Sequence, residues 1–522
     1  MRLFQHSRMA LPASLLLFIM AFAVTLPFYR YGFDGDAVAY LTIARRWATG
    51  DYARAVNGLW SPLHAWIVAF FIQQGKDPYT WAIYTNAFAA AGCLAGTAAL
   101  FKRFALQPLY HWVFLPVLAL VLVYCTYMQV FADLWEFFLL LGYLNLVLLP
   151  SFTRKWGWWL LTGVVAALAY FAKAYAFYFV LLHLPISLYL LQKEQGIFSR
   201  KNWLMPVSVV YAVMGLLSFP WVLALHHKYG GWMLSTANKL NSSWFLLAHR
   251  TYKPELDKLL PPPYADSPTF WEDPWFVEGQ FFSMFDSGRL FIKQVLRSGY
   301  TIFQALDCYS FISPFLLLIV VLGIAYLLGV RFGLRLGAAY KILFWAMILN
   351  MIGYLKVHIE ARYVWLTLFC SLVTGAMLLQ LLFTRFNLKP LQRLVLTATF
   401  AGSYLIGPVM DMERMVNKGK SEYELAQQIN QADAQGRFTS NPTGLNIRAL
   451  AYMTHSQLYE IEHFDFGHDH LLKEMRRYNI AYYWWFHSTQ DADGYSFTDE
   501  TGKPCAEVTG GLIPGLKIFK LN

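Results

Sequence analysis

Charge is scarce in this chain of 522 residues. Only 14% of them are Asp, Glu, Lys or Arg, whereas 57% are hydrophobic and 18% aromatic. The mean hydropathy is +0.40. A soluble protein carries about 25% charged residues, so a soluble globular chain is excluded. The deficit is concentrated. No Asp, Glu, Lys or Arg occurs between Met9 and Phe28, or within 104–132, 137–153, 203–227, 308–330 and 363–384. Cysteine is sparse too. Cys93, Cys125 and Cys370 fall inside apolar runs, and no spacing pairs Cys308 with Cys505, so there is no disulfide framework. Internal repeats and low-complexity tracts are absent. That weakens the alternative of a transporter or flippase for a lipid-linked glycan. Such proteins commonly carry repeats, and ionisable residues or broken helices near the bilayer midplane.

What the chain has instead is apolar runs. Spans are expected near 9–28, 79–101, 109–130, 134–153, 156–172, 174–192, 203–225, 308–330, 342–357, 363–384 and 394–410. This is the pattern of an all-α polytopic membrane domain. Ala21-Phe22-Ala23 mimics a leader cleavage site, but the first run continues to Phe28 and reads as a span. The runs 156–172 and 174–192 are short and separated only by Lys173, so a hairpin that does not fully cross is an alternative. The stretch "NGLWSPLHAWIVAFFIQQGKDP", 57–78, reads as an interfacial helix with Trp60 and Trp66 at headgroup depth. As a span it would invert everything after it.

With a cytoplasmic N-terminus, the inner connections hold fifteen basic residues, from Arg2 and Arg8 to Lys389 and Arg393, against the single acid Glu194. This positive-inside pattern accounts for the net charge of +11. Nucleic-acid binding would need an exposed basic patch, and none is seen. The expected location is the cell membrane, with the C-terminus extracytoplasmic. Residues 1–410 then form a membrane domain with outer loops 29–78 and 226–300. Residues 411–522 form a small extracytoplasmic α/β domain. In it, Ser421-Glu422-Tyr423-Glu424 reads as a capping box opening a helix towards Gln435. "HLLKEMRRYN" reads as a helix, and "IAYYWWF" and "GLKIFKL" as strands.

On this topology the rare charges gather at outer span ends. Asp34 and Asp36 follow the first span in "YGFDGDAVAY". Asp133 and Glu136 open the fourth in "FADLWEFF". Lys173 joins the fifth and sixth, and "HIEARY", 358–363, joins the ninth and tenth. Carboxylates supply a general base and an orienting partner. Lys173 and Arg362 suit a phosphate, one as a point charge and one as a fork. A phosphate leaving group needs cationic stabilisation of its oxygens. The combination at a membrane surface is equipment for sugar transfer from a polyprenyl-phosphate donor.

The same residues resemble the membrane glycosyltransferases of the GT-C fold, the group containing protein O-mannosyltransferases and the lipid A aminoarabinose transferase. Asp36 is followed four residues later by Tyr40, then by Ala44, Gly50 and the turn Ser61-Pro62-Leu63-His64. Asp133 opens a span, and "GVVAALAYFAK" ends in Lys173. "PWVLALHHKYGG" begins at Pro220, "FWEDPW" at Phe270 and "EARYVW" at Glu360. The resemblance runs from Tyr31 to about Trp365. The family's acidic pair is usually adjacent, whereas Ala37 follows Asp36 here, and the usual Pro-Pro is Ser61-Pro62.

The resemblance implies Asp36 as catalytic base, with Asp133 opening a span as a further catalytic carboxylate. Asp34 is an extra carboxylate read as support for the base, and Glu136, an ionisable residue one turn into a span, is read as catalytic too. Tyr40, His64, Lys173, Glu360, Arg362 and Tyr363 would bind substrate. The partners would be a polyprenyl-phosphate sugar donor, membrane lipids and a lipid, glycan or protein acceptor. No cofactor is expected. The carboxylates could hold Mg²⁺ or Mn²⁺, but such relatives do not generally need one. "EHFDFGHDH", 462–470, has ligand types for a transition metal, although a polar loop is the simpler reading.

Overall fold

The computed structural model describes residues 7–128, 132–246, 258–276, 281–330, 336–461, 467–487 and 495–521. Seven helical segments are long and apolar enough to cross a membrane: Ser7–Tyr29, Pro78–Arg103, Pro108–Met128, Tyr175–Glu194, Arg200–Tyr229, Ala361–Arg385 and Pro390–Gln431. The other four apolar runs form the shorter helices Asp133–Val147, Trp156–Ala172, Pro314–Leu327 and Ala338–Ile352. At 1.5 Å per residue these are roughly 21 to 26 Å long, less than the ~30 Å hydrocarbon core. They are packed among the long helices. Trp156–Ala172 lies against Arg200–Tyr229 and Asp133–Val147, and Ala338–Ile352 against Tyr175–Glu194. The chain is a multi-pass, all-α membrane protein with a small C-terminal sheet.

One local expectation is sharpened and two are corrected. The 57–78 stretch contains only the helix Pro62–Gln73, roughly 18 Å long and too short to span. Its tryptophans pack against other aromatic residues of the protein. Trp60 is buried and donates Nε1–H to the Trp271 carbonyl at 3.1 Å. Trp66 lies among Trp47, Phe171 and Trp221, with ring centroids 5.8, 5.3 and 5.8 Å away.

The 226–300 region is not loop throughout. It contains the helix Ala237–Leu246 and most of a second, Gly288–Ile312, which Ser287 caps by accepting from the Leu290 amide at 3.2 Å. Arg289, Lys293 and Arg297 lower its mean hydropathy, yet Phe291, Ile292, Val295, Leu296, Tyr300 and Phe303 form an exposed apolar stripe at helical spacing.

The second correction lies at the C-terminal turn. The last long helix, Pro390–Met415, continues past residue 410. Its successor, Lys420–Gln431, starts from Gly419, so the expected capping box does not form. Ser421 instead bonds the neighbouring Glu422 carboxylate, whose other oxygen accepts from the Asn446 amide. Gly419 has φ +83°, and a Cβ there would stand 2.0 Å from the Tyr31 carbonyl oxygen. Both features demand glycine and set the helix start.

The sheet comprises β1 (Arg437–Ser440), β2 (Gln457–Leu458), β3 (Tyr482–Phe486), β4 (Ala506–Glu507) and β5 (Leu516–Lys520), in the order β2-β1-β3-β5-β4. β1 runs parallel to β2 and β3, and β5 pairs antiparallel with β3 and β4. β3 and β5 fall within the two stretches read as strands, and "HLLKEMRRYN" lies largely within the helix His468–Arg477. Asn446 Nδ2 donates to the Phe33 carbonyl at 2.8 Å, and Tyr452 packs on Phe33 and under Arg45. The C-terminal elements therefore rest on the segment that carries Asp34 and Asp36. A second strap, 258–276, joins them. Leu260 and Glu460 exchange backbone hydrogen bonds, and the Leu458 amide donates to Pro268.

Candidate active site

The site begins at the N-terminus of the helix Gly35–Thr49. Asp34 is its extended cap residue, and its Oδ1 accepts from the Ala37 amide at 2.7 Å. Burial, and next the neighbouring Asp36, push the Asp34 carboxyl up to about 7. Asp36 falls in the first helical turn. Its Oδ1 accepts from Trp271 Nε1 at 2.9 Å, and its Oδ2 lies 3.5 Å from Arg362 Nη2.

Asp133 is the first residue of the helix Asp133–Val147. It accepts from the Lys173 ammonium, and its second oxygen lies 3.8 Å from Arg362 Nη1. Lys173 sits in extended backbone between two helices. That break lets its amine reach Asp133 from the neighbouring helix pair. The amine also lies 4.1 Å from the Tyr363 ring centroid and 5.5 Å from that of Tyr354, and those two rings stack at 4.4 Å.

Arg362 belongs to the 3₁₀ turn Ala361–Val364, which leads into the helix Trp365–Arg385. Its Nε lies 2.9 Å from Glu360 Oε2, and Nη2 lies 3.3 Å from the Tyr363 hydroxyl. Burial alone would raise the Glu360 carboxyl. The His358 imidazole and the Arg362 guanidinium outweigh it and hold the group at about 2.

These side chains line one cleft of about 560 Å³. Of the residues singled out from sequence, Asp36, Tyr40, Asp133, Lys173, Glu360, Arg362 and Tyr363 face it. Asp34, Glu136 and His64 are not among its lining residues. Asp34 is the helix cap. Glu136 is fully buried one turn beyond Asp133, 4.0 Å from the Lys173 amine, and neither of its oxygens accepts a hydrogen bond among the described residues. His64 is fully buried behind Tyr40, with ring centroids 5.6 Å apart and edge to face. Neither ring nitrogen has a partner among the described residues. Burial pushes its imidazole down to about 4, so it is neutral at pH 7.

The cleft also has walls that charge-based reading missed. Trp60, Tyr175, Trp244, Trp271, Tyr354 and His358 line it. "FWEDPW" and "HIEARY" hold the only signal for two of them, Trp271 and His358. In "FWEDPW" the two acids point away from the cleft. Glu272 pairs with Arg46, and Asp273 takes hydrogen bonds from Tyr229 at 2.8 Å and meets Lys228 at 3.1 Å.

Among the described residues, no group of three or more His, Cys, Asp or Glu side chains is gathered to hold a metal ion. Residues 462–466 of "EHFDFGHDH" lie outside the described residues.

The arrangement can do two things at once. A carboxylate at the cleft wall can take a proton, while two cations face the same space and can hold an anionic oxygen. No family model and no curated protein sequence matches this chain. Solved structures do match its fold. The archaeal oligosaccharyltransferase AglB from Archaeoglobus fulgidus, in complex with an inhibitory peptide and a dolichol-phosphate, aligns with a TM-score of 0.55 at 11% identity, over 91% of this chain and 69% of its own. ArnT from Cupriavidus metallidurans bound to undecaprenyl phosphate aligns with a TM-score of 0.51 at 12% identity, over 97% of each chain. The likeness carries the architecture: this chain has the GT-C fold of membrane glycosyltransferases.

Proposed function

We propose that this protein is an inverting glycosyltransferase that moves a sugar from a polyprenyl-phosphate donor to an acceptor hydroxyl at the outer face of the membrane. One observation carries the reading. The Asp36 carboxylate and the Lys173 and Arg362 cations line a single cleft in a GT-C fold. Two proteins of the same fold were solved with polyprenyl phosphates.

In the reaction Asp36 takes the proton of the acceptor hydroxyl. The acceptor oxygen attacks the anomeric carbon, and the bond from that carbon to the donor phosphate oxygen breaks. Polyprenyl phosphate leaves, its charge held by Lys173 and Arg362. One displacement inverts the anomeric centre. Asp133 orients both cations, Glu360 orients Arg362, and the Tyr354–Tyr363 pair supports Lys173. Residues 1–410 would supply this membrane catalytic unit, with a cytoplasmic N-terminus, and 411–522 an extracytoplasmic α/β unit.

The test uses the purified protein and a panel of polyprenyl-phosphate sugars, scored by release of the lipid phosphate. Asparagine keeps the shape of Asp36 but cannot accept the proton, so Asp36→Asn lowers turnover by about a hundredfold or more at unchanged donor binding. Near-native turnover in that variant removes Asp36 as base. No release from any donor removes the transferase reading. Labelled donors on membranes with and without the protein identify the sugar.

A further inference from the structure

We infer that Trp271 is a positioning residue for Asp36, and that the C-terminal elements hold it in place through Arg448; the inference rests on reading Asp36 as the base. A carboxylate in the first turn of a helix swings about two side-chain torsions. Trp271 Nε1–H, 2.9 Å from Oδ1, fixes one oxygen, while the other lies 3.5 Å from Arg362 Nη2.

The indole is itself clamped. Trp244 stacks on it at 4.9 Å with 13° between the planes, and Trp60 meets it edge-on at 5.9 Å. The Arg448 guanidinium lies 4.7 Å from its ring centroid. Arg448 comes from the C-terminal helix Ile447–Met453 and is locked by a two-pronged pair with Glu460 at 2.8 and 2.9 Å. Glu460 is tied through its backbone to Leu260, on the same strap that carries Trp271. Gly35, beside Asp36, makes the passage possible. A Cβ there would lie 3.0 Å from Arg448 Cδ and 3.8 Å from Trp271 Cδ1. Base, indole, guanidinium and C-terminal helix thus form one packed series, in which Trp271 lines the cleft and Arg448 does not.

A hydrogen bond to a carboxylate favours its charged form, and the indole N–H gives Asp36 one at 2.9 Å. Trp271→Phe keeps an aromatic ring for the stack but removes the donor. It lowers turnover about tenfold or more, leaves the donor KM unchanged, and moves the acid limb of the pH–rate profile upward. Arg448→Gln moves the same limb by less, and adds little when combined with Trp271→Phe, because both act on one contact. Gly35→Ala, which displaces Arg448 without removing any polar group, behaves as Arg448→Gln at an unchanged melting temperature.

An unmoved acid limb and near-native turnover in folded Trp271→Phe, with Asp36→Asn dead, overturns the inference and leaves Asp36 as base. Activity in Asp36→Asn overturns the base assignment first. If Trp271→Phe does not fold, unmoved limbs in both Arg448→Gln and Gly35→Ala overturn the inference.

Discussion

Two ionic clusters flank the strap 258–276, and they differ in how fully their members are satisfied. In the closed cluster, Arg46 is buried and its guanidinium is saturated. It pairs with Glu272, with Asp51 at 3.0 Å and with Asp266 at 3.1 Å, and it donates to Ser267 at 3.1 Å. Asn57 fixes the Glu272 carbonyl at 2.7 Å. In the open cluster, Arg362 pairs with Glu360 at 2.9 Å but meets Asp36 and Asp133 at 3.5 and 3.8 Å, beyond good hydrogen-bond length, and neither Glu136 oxygen accepts a hydrogen bond among the described residues. The first arrangement leaves no valence for a ligand. In the second, both cations, Lys173 and Arg362, line a cleft and Arg362 keeps two of its carboxylates at long range, and perturbed charges of this kind cluster at functional sites.

The largest effect expected from this contrast is on folding. Arg46→Ala leaves Glu272, 1% exposed at its side chain, without its cation. Breaking a buried pair from one side costs about 3–5 kcal/mol, read as a large fall in the unfolding midpoint in detergent. Activity per folded molecule stays near normal. A normal midpoint in Arg46→Ala would erase the distinction between the clusters.

The open cluster reverses the pattern. Lys173→Met and Arg362→Gln each weaken donor binding about tenfold or more, the scale of one hydrogen bond to a charged group. Their unfolding midpoints fall less than that of Arg46→Ala, because Asp133 keeps one cation in either variant. Binding of a lipid phosphate measured by calorimetry checks this. Unchanged affinity in both would make the two cations structural.

The contrast was only half legible in the sequence. In a chain with 14% charged residues, each acid or base near the end of an apolar run stands out, so Asp36, Asp133, Lys173 and Arg362 are legible without their contacts. Whether such a charge is used or buried is a matter of partners, and partners come from distant segments. "FWEDPW" and "FADLWEFF" are nearly alike in composition. The acids of the first are closed off by Arg46, Lys228 and Tyr229, while Asp133 of the second faces the cleft. The aromatic walls were illegible for the opposite reason. With 18% aromatic residues, nothing in the local pattern separates Trp60, Trp244 or Tyr354 from their many counterparts. The helix Gly288–Ile312 escaped because its basic residues mask an apolar stripe that periodicity, rather than mean hydropathy, would have found.

The finest version of the comparison lies within two residues. Asp34 and Asp36 look interchangeable in "FDGD", yet one caps a helix and the other faces the cleft. Burial and the Asp36 charge place the Asp34 carboxyl at about 7 against 3.8 for an ordinary aspartate. Between those values the folded protein holds a proton that the unfolded chain has released. Stability therefore falls as pH rises from about 4 to 7, and the penalty is constant above. Asparagine caps a helix as well as aspartate does, so Asp34→Asn keeps the bond from Ala37 and removes the titration. The variant should gain on the parent across that window and then run parallel to it, as followed by melting temperature against pH. Turnover should fall far less than in Asp36→Asn, because the lost carboxylate does not face the substrate. Parallel melting curves across the whole window would mean that Asp34 titrates as an ordinary surface acid. Loss of turnover in Asp34→Asn but not in Asp36→Asn would exchange the two roles.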